Sequence, residues 1–332
     1  MKLNMLVVTD HSTHTDTNSV YQLSRALLHD PRCGTLWVCS KGNMHNAAFF
    51  EGLPDADIYA PEVTDQFAFD ASGSYFHQAD IPLDRERIDV ILVRMPQPVD
   101  AAFLFSLESI VPPHHIINSP AGIVDTATKA FLMEVSYLCP EPRICHTIQE
   151  ALELSRQKEI VLKPLLSYGG RGIVRLSTEH CWKEDQRMPI EHLSSFLADS
   201  HFPMLAMKFL KNVTQGDKRT IVANRQILGS ALRLPAPGGW MCNVAQGGSA
   251  VLAEADEDEH IIQEILTPIL YRKGVVIFGF DTLVDDDGRR VLSEINTLSI
   301  GGLMPLQEMS GKPILNRAAG LLWDYIEGEG EG

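Results

Sequence analysis

The chain has 332 residues, 45% of them hydrophobic and 21% charged, with 28 Lys and Arg against 43 Asp and Glu for a formal charge of −15. That length supports two or three packed units, and the acidic balance disfavours a surface for nucleic acid or an anionic membrane. Six cysteines without C-x-x-C spacing read as reduced, buried thiols of a cytoplasmic protein, and no apolar run approaches the roughly 18 residues that a spanning helix needs.

Residues 3–8 form an apolar run ahead of Asp10 and His11 and predict a first strand. Residues 19–28 predict a helix, with Val20, Leu23 and Leu27 at helical spacing and Asn18 or Ser19 as its cap. Strands are expected at 35–39, 90–93 and 116–117. This alternation implies a parallel sheet with helices on its faces, an α/β unit. Residues 53–83 show no clean period. A helix is expected over 126–138, stopped by Pro140. Further on, helices are expected at 147–157 and 257–271 and strands at 159–163, 173–176, 204–210 and 219–222. The acidic run from Asp256 to Glu259 suits a solvated helix start. The implied division is 1–122, 123–206 and 207–326, with 327–332 a disordered acidic tail.

Asp281 lies in the apolar run 275–284, and Glu294 and Asn296 in the run 291–296. Asp287-Gly288 between them signals a two-residue hairpin turn. That turn sets Asp281 opposite Glu294, with Asn296 on the same face. Facing carboxylates on a buried sheet conflict unless a cation intervenes. Mg²⁺ fits, since it takes a few oxygen ligands and keeps its other positions for water and phosphate.

Other segments suggest phosphate chemistry. Lys163 ends an apolar strand just before Ser167, Gly169, Gly170 and Gly172, a loop whose backbone N–H groups could approach phosphate; a ligand-free glycine hairpin explains it equally well. Gly216-Asp217-Lys218-Arg219 opens a strand with a guanidinium able to fork onto phosphate, although a solvated turn is the simpler explanation of that tetrapeptide alone. His11 and His14 have no nearby carboxylate pair to complete a metal site and are expected to be structural.

The order of these pieces resembles the ATP-grasp superfamily and, within it, prokaryotic glutathione synthetase. The matching stretches are 89–100, 118–120, 160–165 with Gly169-Gly170, 216–219, 243–248, 279–281 and 294–296, across nearly the whole chain. The resemblance implies an ATP-grasp fold, α+β in the ATP-binding part, behind a Rossmann-like parallel sheet. It implies a carboxylate–amine ligase acting through an acyl phosphate on small-molecule substrates, with ATP and two Mg²⁺ (Mn²⁺ able to substitute), and relatives that are often dimers or tetramers. By residue, it implies Lys129 and Lys163 on ATP phosphates beneath the loop from Ser167 through Gly172. Met207, Lys208, Phe209 and Leu210 would line the adenine pocket, with Asp217 nearby. Arg219 and Asn243 would hold the transferring phosphoryl group. Asp281, Glu294 and Asn296 would bind the metal, and Arg94, Ser299 and Ser19 would lie near the acceptor substrates.

The chain departs from that pattern at Ser167, where the loop usually begins with glycine. It departs again at Met241, where the family carries arginine, and in the turn 297–302. All three are expected near phosphate or substrate, which leaves the acceptor pair open. A ligase with other partners and an ATP-binding regulatory protein without turnover are the alternatives. No G-x-G-x-x-G follows the first strand, which argues against a dinucleotide-dependent oxidoreductase.

Overall fold

Alternation along the first strand, β1 (Leu3–Thr9), sends Met5 and Val7 into one apolar cluster and Leu6 and Val8 into another. A strand buried on both faces belongs inside a parallel sheet. The computed structural model describes residues 2–167, 169–184, 186–198, 201–242 and 248–329. Its first part contains α1 (Val20–Leu28), β2 (Cys33–Ser40), α2 (Ala47–Phe50), β3 (Val90–Arg94), α3 (Ala101–Ser106), β4 (Ile116–Ile117) and α4 (Pro120–Thr126). The strands form a parallel sheet in the order β2-β1-β3-β4. Residues 53–83 add no long element, but their Phe67 and Phe76 are fully buried against the sheet.

The second sheet is antiparallel, in the order β5-β10-β6-β7-β8-β9. It comprises β5 (Arg143–Cys145), β6 (Ile160–Pro164), β7 (Val174–Leu176), β8 (His180–Lys183), β9 (Gln186–Pro189) and β10 (Met204–Lys208), with α5 (Ile148–Ser155) and α6 (Leu193–Phe196) on one face. Period-two alternation sorts its residues. Ile160, Leu162, Met204 and Ala206 pack with those helices, while Val161, Lys163 and Met207 face the other way.

The third sheet runs β13-β12-β11-β14-β15 and is antiparallel. Its strands are β11 (Asp217–Ala223), β12 (Gln226–Leu234), β13 (Ser249–Ala253), β14 (Ile277–Val284) and β15 (Arg290–Asn296). Helix α7 (Glu257–Arg272) packs Ile262, Leu266 and Leu270 on Phe278 and Phe280. Helices α8 (Leu303–Ser310) and α9 (Ile314–Glu329) close the chain and join α1 in the largest core cluster, around the buried Trp323.

Three expectations need correcting. The helix expected over 126–138 is two short 3₁₀ turns, at Lys129–Met133 and Ser136–Leu138. Thr128 is extended, and the Lys129 N–H pairs with the Leu165 carbonyl at 3.0 Å, a tertiary bond that diverts the chain from helix. The tail expected to be irregular from Glu327 is helical through Glu329, and Arg32 pins that end by pairing with Asp324 and Glu327; residues 330–332 lie outside the described residues. The acidic start of α7 is not wholly solvated. Glu259 is fully buried, bonding Lys218 and Thr282 and completing a capping box with Asp256.

Asn118 joins the first sheet to the third. Its buried amide donates to the Ile277 and Thr297 carbonyls, both at 2.7 Å, and accepts from the Val276 and Ile277 N–H groups. Replacing it by alanine leaves buried backbone groups unpaired, each costing about 1–3 kcal/mol. Asn118→Ala is therefore expected to lower unfolding free energy by about 3 kcal/mol or more, read by urea denaturation.

Candidate active site

The register of the third sheet builds the centre of the site. Along β11, Asp217 and Arg219 point to one face, and Lys218 and Thr220 point to the face covered by α7. Arg219 pairs in register with Asp281 on β14, and Asp217 with Arg233 on β12. Gly216 enters β11 at φ +93°, and a Cβ there would lie 2.8 Å from the Arg233 carbonyl, so glycine suits this entry.

Four charged side chains interlock here. Arg219 donates from Nε and Nη2 to the two oxygens of Asp281, both at 2.7 Å. Arg233 reaches Asp281 at 2.7 Å and Asp217 at 2.5 Å. Burial alone would raise the Asp281 carboxyl, but the two guanidiniums outweigh it and hold it well below the ordinary carboxylate range. Asp217 moves the other way: burial, then the charge of Asp281, pushes it up to about 6.

Asp281 does face Glu294 across the β14–β15 ladder, and Gly279 faces Asn296. The route differs from the expected two-residue turn. The Asp285 N–H bonds the Arg289 carbonyl, which closes a longer turn, and a bulge at Ser293 restores the register. That bulge has a use. Lys163, buried at the end of β6, donates to the Ser293 carbonyl at 3.1 Å and hydroxyl at 3.2 Å. Burial lowers the Lys163 pKa, against the charge of Glu294. Lys129 lies 3.2 Å from Glu294 and also bonds the Ser167 carbonyl.

Two cavities meet at Glu294. The first is a slot lined by Val161, Lys163, Met207, Phe209, Leu210 and Trp240 among others. Lys208 and Asp217 also border it. The Lys208 and Phe209 N–H groups are committed to the Pro140 and Glu159 carbonyls, and the Lys208 ammonium to Asp286 at 2.8 Å. Among the described residues the Leu210 N–H has no partner, which leaves it for a ligand. Met241 lines this slot with Trp240 and Cys242, in the same wall as Lys163 and Glu294, and is absent from the wall of the second cavity.

The second cavity is lined by Lys129, Ser167, Gly169, Arg219, Arg233, Asn296 and Ser299 among others. Gly170 and Gly172 follow in the same loop, at φ +77° and +71°. Behind Ser299, the buried Arg94 donates from Nη2 to Ser19 Oγ at 2.9 Å and to the Ile300 carbonyl at 3.1 Å. Its Nε and Nη1 have no partner among the described residues, and burial pulls its pKa down to about 10. Asn243 lies outside the described residues. Arg233 escaped the sequence reading; the available signal was an arginine in the strand after Gly216-Asp217-Lys218-Arg219, at the register position opposite Asp217.

The oxygen donors suit a hard divalent cation. Among the described residues no three His, Cys, Asp or Glu side chains form a metal cage by themselves. Glu294 and Asn296 offer a carboxylate and an amide oxygen at the cavities, and the buried Asn296 Nδ2 has no partner among the described residues; the Asp281 oxygens are both held by Arg219 and Arg233, so Asp281 would join a cation only by releasing one of them. A site with so few protein oxygens matches Mg²⁺, which retains water and phosphate ligands.

The family model for the prokaryotic glutathione synthetase ATP-grasp domain matches residues 128–311. A glutathione synthetase from Mesorhizobium japonicum is 29% identical over 282 residues, 83% of this chain and 85% of the relative. Among solved structures, D-cycloserine synthetase DcsG superposes with a TM-score of 0.66 at 13% identity, covering 97% of this chain and 99% of that one. The ATP-grasp ligase PsnB, complexed with a minimal precursor, Mg and ADP, gives 0.56 at 13% identity over 97% and 98%. The chain has the ATP-grasp fold and belongs to the prokaryotic glutathione synthetase family. It is an ATP-dependent ligase that forms C–N bonds, and ligases of this kind use ATP and Mg²⁺. No helix among the described residues is long and apolar enough to cross a membrane.

The two carboxyls act oppositely on stability. The Asp281 contribution is present above about pH 4 and is lost as pH falls further. Asp217 holds a proton in the folded state between about pH 4 and 6 that the unfolded chain has released, so its contribution is full below about pH 4 and declines as pH rises through about 6. Asp217→Asn is expected to remove that decline: relative to wild type, the urea midpoint of the variant should rise between about pH 4.5 and 7.

Proposed function

We propose that the enzyme joins a small carboxylate substrate to an amino-acid amine through an acyl phosphate, with γ-glutamylcysteine and glycine as the leading pair. The observation that carries this reading is the second cavity, which has Arg219 and Arg233 on its wall beside Glu294 and Asn296, with the incompletely bonded Arg94 behind it. The nearby slot supports ATP as the phosphoryl donor, its adenine among Val161, Met207, Phe209 and Trp240 and the Leu210 N–H free to donate to the ring. Lys129 and Lys163 would carry the phosphates, under the loop of Ser167, Gly169, Gly170 and Gly172. Glu294 and Asn296 would hold Mg²⁺, with Asp281 joining them if one of its guanidiniums shifts onto phosphate, two ions by the family resemblance, with Mn²⁺ able to replace them. When bound, the metal would neutralise phosphate charge.

A substrate carboxylate oxygen attacks the γ-phosphorus and ADP leaves. The amine nitrogen then attacks the acyl carbon, phosphate departs, and the amine's proton is released. Arg219 and Arg233 counter the charge on the transferring group, and Asn243 would assist. Asp281 fixes both guanidiniums beforehand, so little reorganisation is needed at the moment of reaction. Water must be kept from the acyl phosphate, which gives the Ser167–Gly172 loop its part as a cover. Ser19 and Ser299 would complete the carboxylate pocket around Arg94.

The division into 1–122, 123–206 and 207–326 belongs to this reading; three separate sheets support three units, although β10 (Met204–Lys208) crosses the second boundary. Cytoplasmic residence is supported by six free cysteines. A dimer or tetramer remains the family expectation. A second reading keeps the ligase and changes the partners, favoured by Met241 where the family carries arginine.

Phosphate release should require ATP, Mg²⁺, γ-glutamylcysteine and glycine together; release only with other pairs in an amino-acid and dipeptide screen selects the second reading. Arg219→Ala is expected to lower kcat by roughly 10²–10³-fold, and a near-normal rate removes Arg219 from the reacting phosphoryl. Glu294→Gln should abolish Mg²⁺-dependent ADP formation while circular dichroism and thermal midpoint stay unchanged.

A further inference from the structure

His14 and Tyr21 lie outside both cavities, yet they connect to Arg94 through a chain of hydrogen bonds whose directions are fixed. The Thr9 hydroxyl bonds the Arg94 carbonyl at 3.1 Å and the His14 Nε2 at 2.9 Å. A carbonyl only accepts, and Thr9 has one hydroxyl proton, so that proton goes to Arg94. Thr9 must then accept from His14, which puts the imidazole proton on Nε2. His14 Nδ1 is left as an acceptor, 2.9 Å from the Tyr21 hydroxyl, which donates to it. Burial, then the nearby His11, holds the His14 pKa down to about 4, and burial raises Tyr21 to about 12, so both stay neutral at neutral pH as this chain requires.

The relay spans the elements that hold Arg94. Tyr21 lies in the first turn of α1, whose cap Ser19 takes the Arg94 guanidinium. Thr9 ends β1, in register with Arg94 on β3. On the other side Ser299 Oγ reaches the same Arg94 carbonyl at 3.4 Å. The backbone of Arg94 is thereby anchored from two directions while Nε and Nη1 stay unpartnered among the described residues.

We infer that His14, as its Nε2–H tautomer, is a positioning residue for the carboxylate substrate, aligning Arg94 through Thr9 and coupling it to α1 through Tyr21. The inference rests on the reading that Arg94 receives that carboxylate. A protonated His14 would repel Arg94 and lose its acceptor for Tyr21.

Two measurements test it. In ¹⁵N-histidine NMR of the wild-type protein, the His14 ring should show the Nε2–H tautomer, and Tyr21→Phe should perturb its Nδ1 resonance; an Nδ1–H tautomer overturns the relay. In kinetics with ATP, γ-glutamylcysteine and glycine, His14→Leu should raise KM for γ-glutamylcysteine about tenfold, a change equivalent to about 1.4 kcal/mol. The values of kcat and of KM for ATP should stay within about twofold, a spread well under that tenfold step. His14→Gln, which carries an N–H donor and an oxygen acceptor on one side chain, should restore most of the loss. An equal rise in KM for ATP, or His14→Gln behaving like His14→Leu, overturns the inference. Arg94→Ala separates the two levels. If it raises KM for γ-glutamylcysteine and His14→Leu does not, the inference alone falls; if Arg94→Ala leaves that KM unchanged, the reading of Arg94 falls and takes the inference with it.

Discussion

A buried carboxylate between two guanidiniums organises this molecule. Asp281 is almost wholly inaccessible, and a lone charge there would be prohibitively costly. Arg219 and Arg233 make it tolerable, and they can do so only because β11, β12 and β14 lie in one register. The same ion cluster thus selects strand pairing and aims two cations into the second cavity. Removing one partner leaves the others buried without full compensation, which makes the arrangement all-or-none.

Much of the fold was legible because strand and helix periods are local. Buried runs announced the parallel sheet, and the acidic run from Asp256 to Glu259 announced the start of α7. The helix expected over 126–138 failed for a non-local reason: the Lys129 N–H prefers the Leu165 carbonyl, a bond between segments that local pattern cannot anticipate. Lys129 is nonetheless aimed at Glu294 because of that bond. Arg233 was missed because a single arginine in a strand reads as a solvated edge until its partner strand is known. Asp281 and Glu294 were correctly opposed although the turn between them was misjudged, since two local departures cancelled.

The three sheets divide the chemistry by what each can hold rigidly. The antiparallel sheets, through Lys163 and Asp281, supply fixed charge beside the two cavities. The parallel sheet supplies Arg94 at the carboxyl end of β3, the end where open α/β sheets commonly meet their ligands. Asn118 keeps these contributions in one frame, since its amide satisfies backbone groups on β14 and on the turn beyond β15.

The Ser293 bulge also bears on how this hairpin can change over evolutionary time. Side chains alternate faces every residue, so an insertion or deletion of one residue in the Asp285–Arg289 turn would turn Glu294 and Asn296 to the wrong side. The bulge is a second place where one residue can be gained or lost. Turn length and bulge are therefore coupled variables: either can drift only if the other compensates. Because Lys163 holds the bulge carbonyl, a lineage that loses the bulge must also find a new anchor for that lysine.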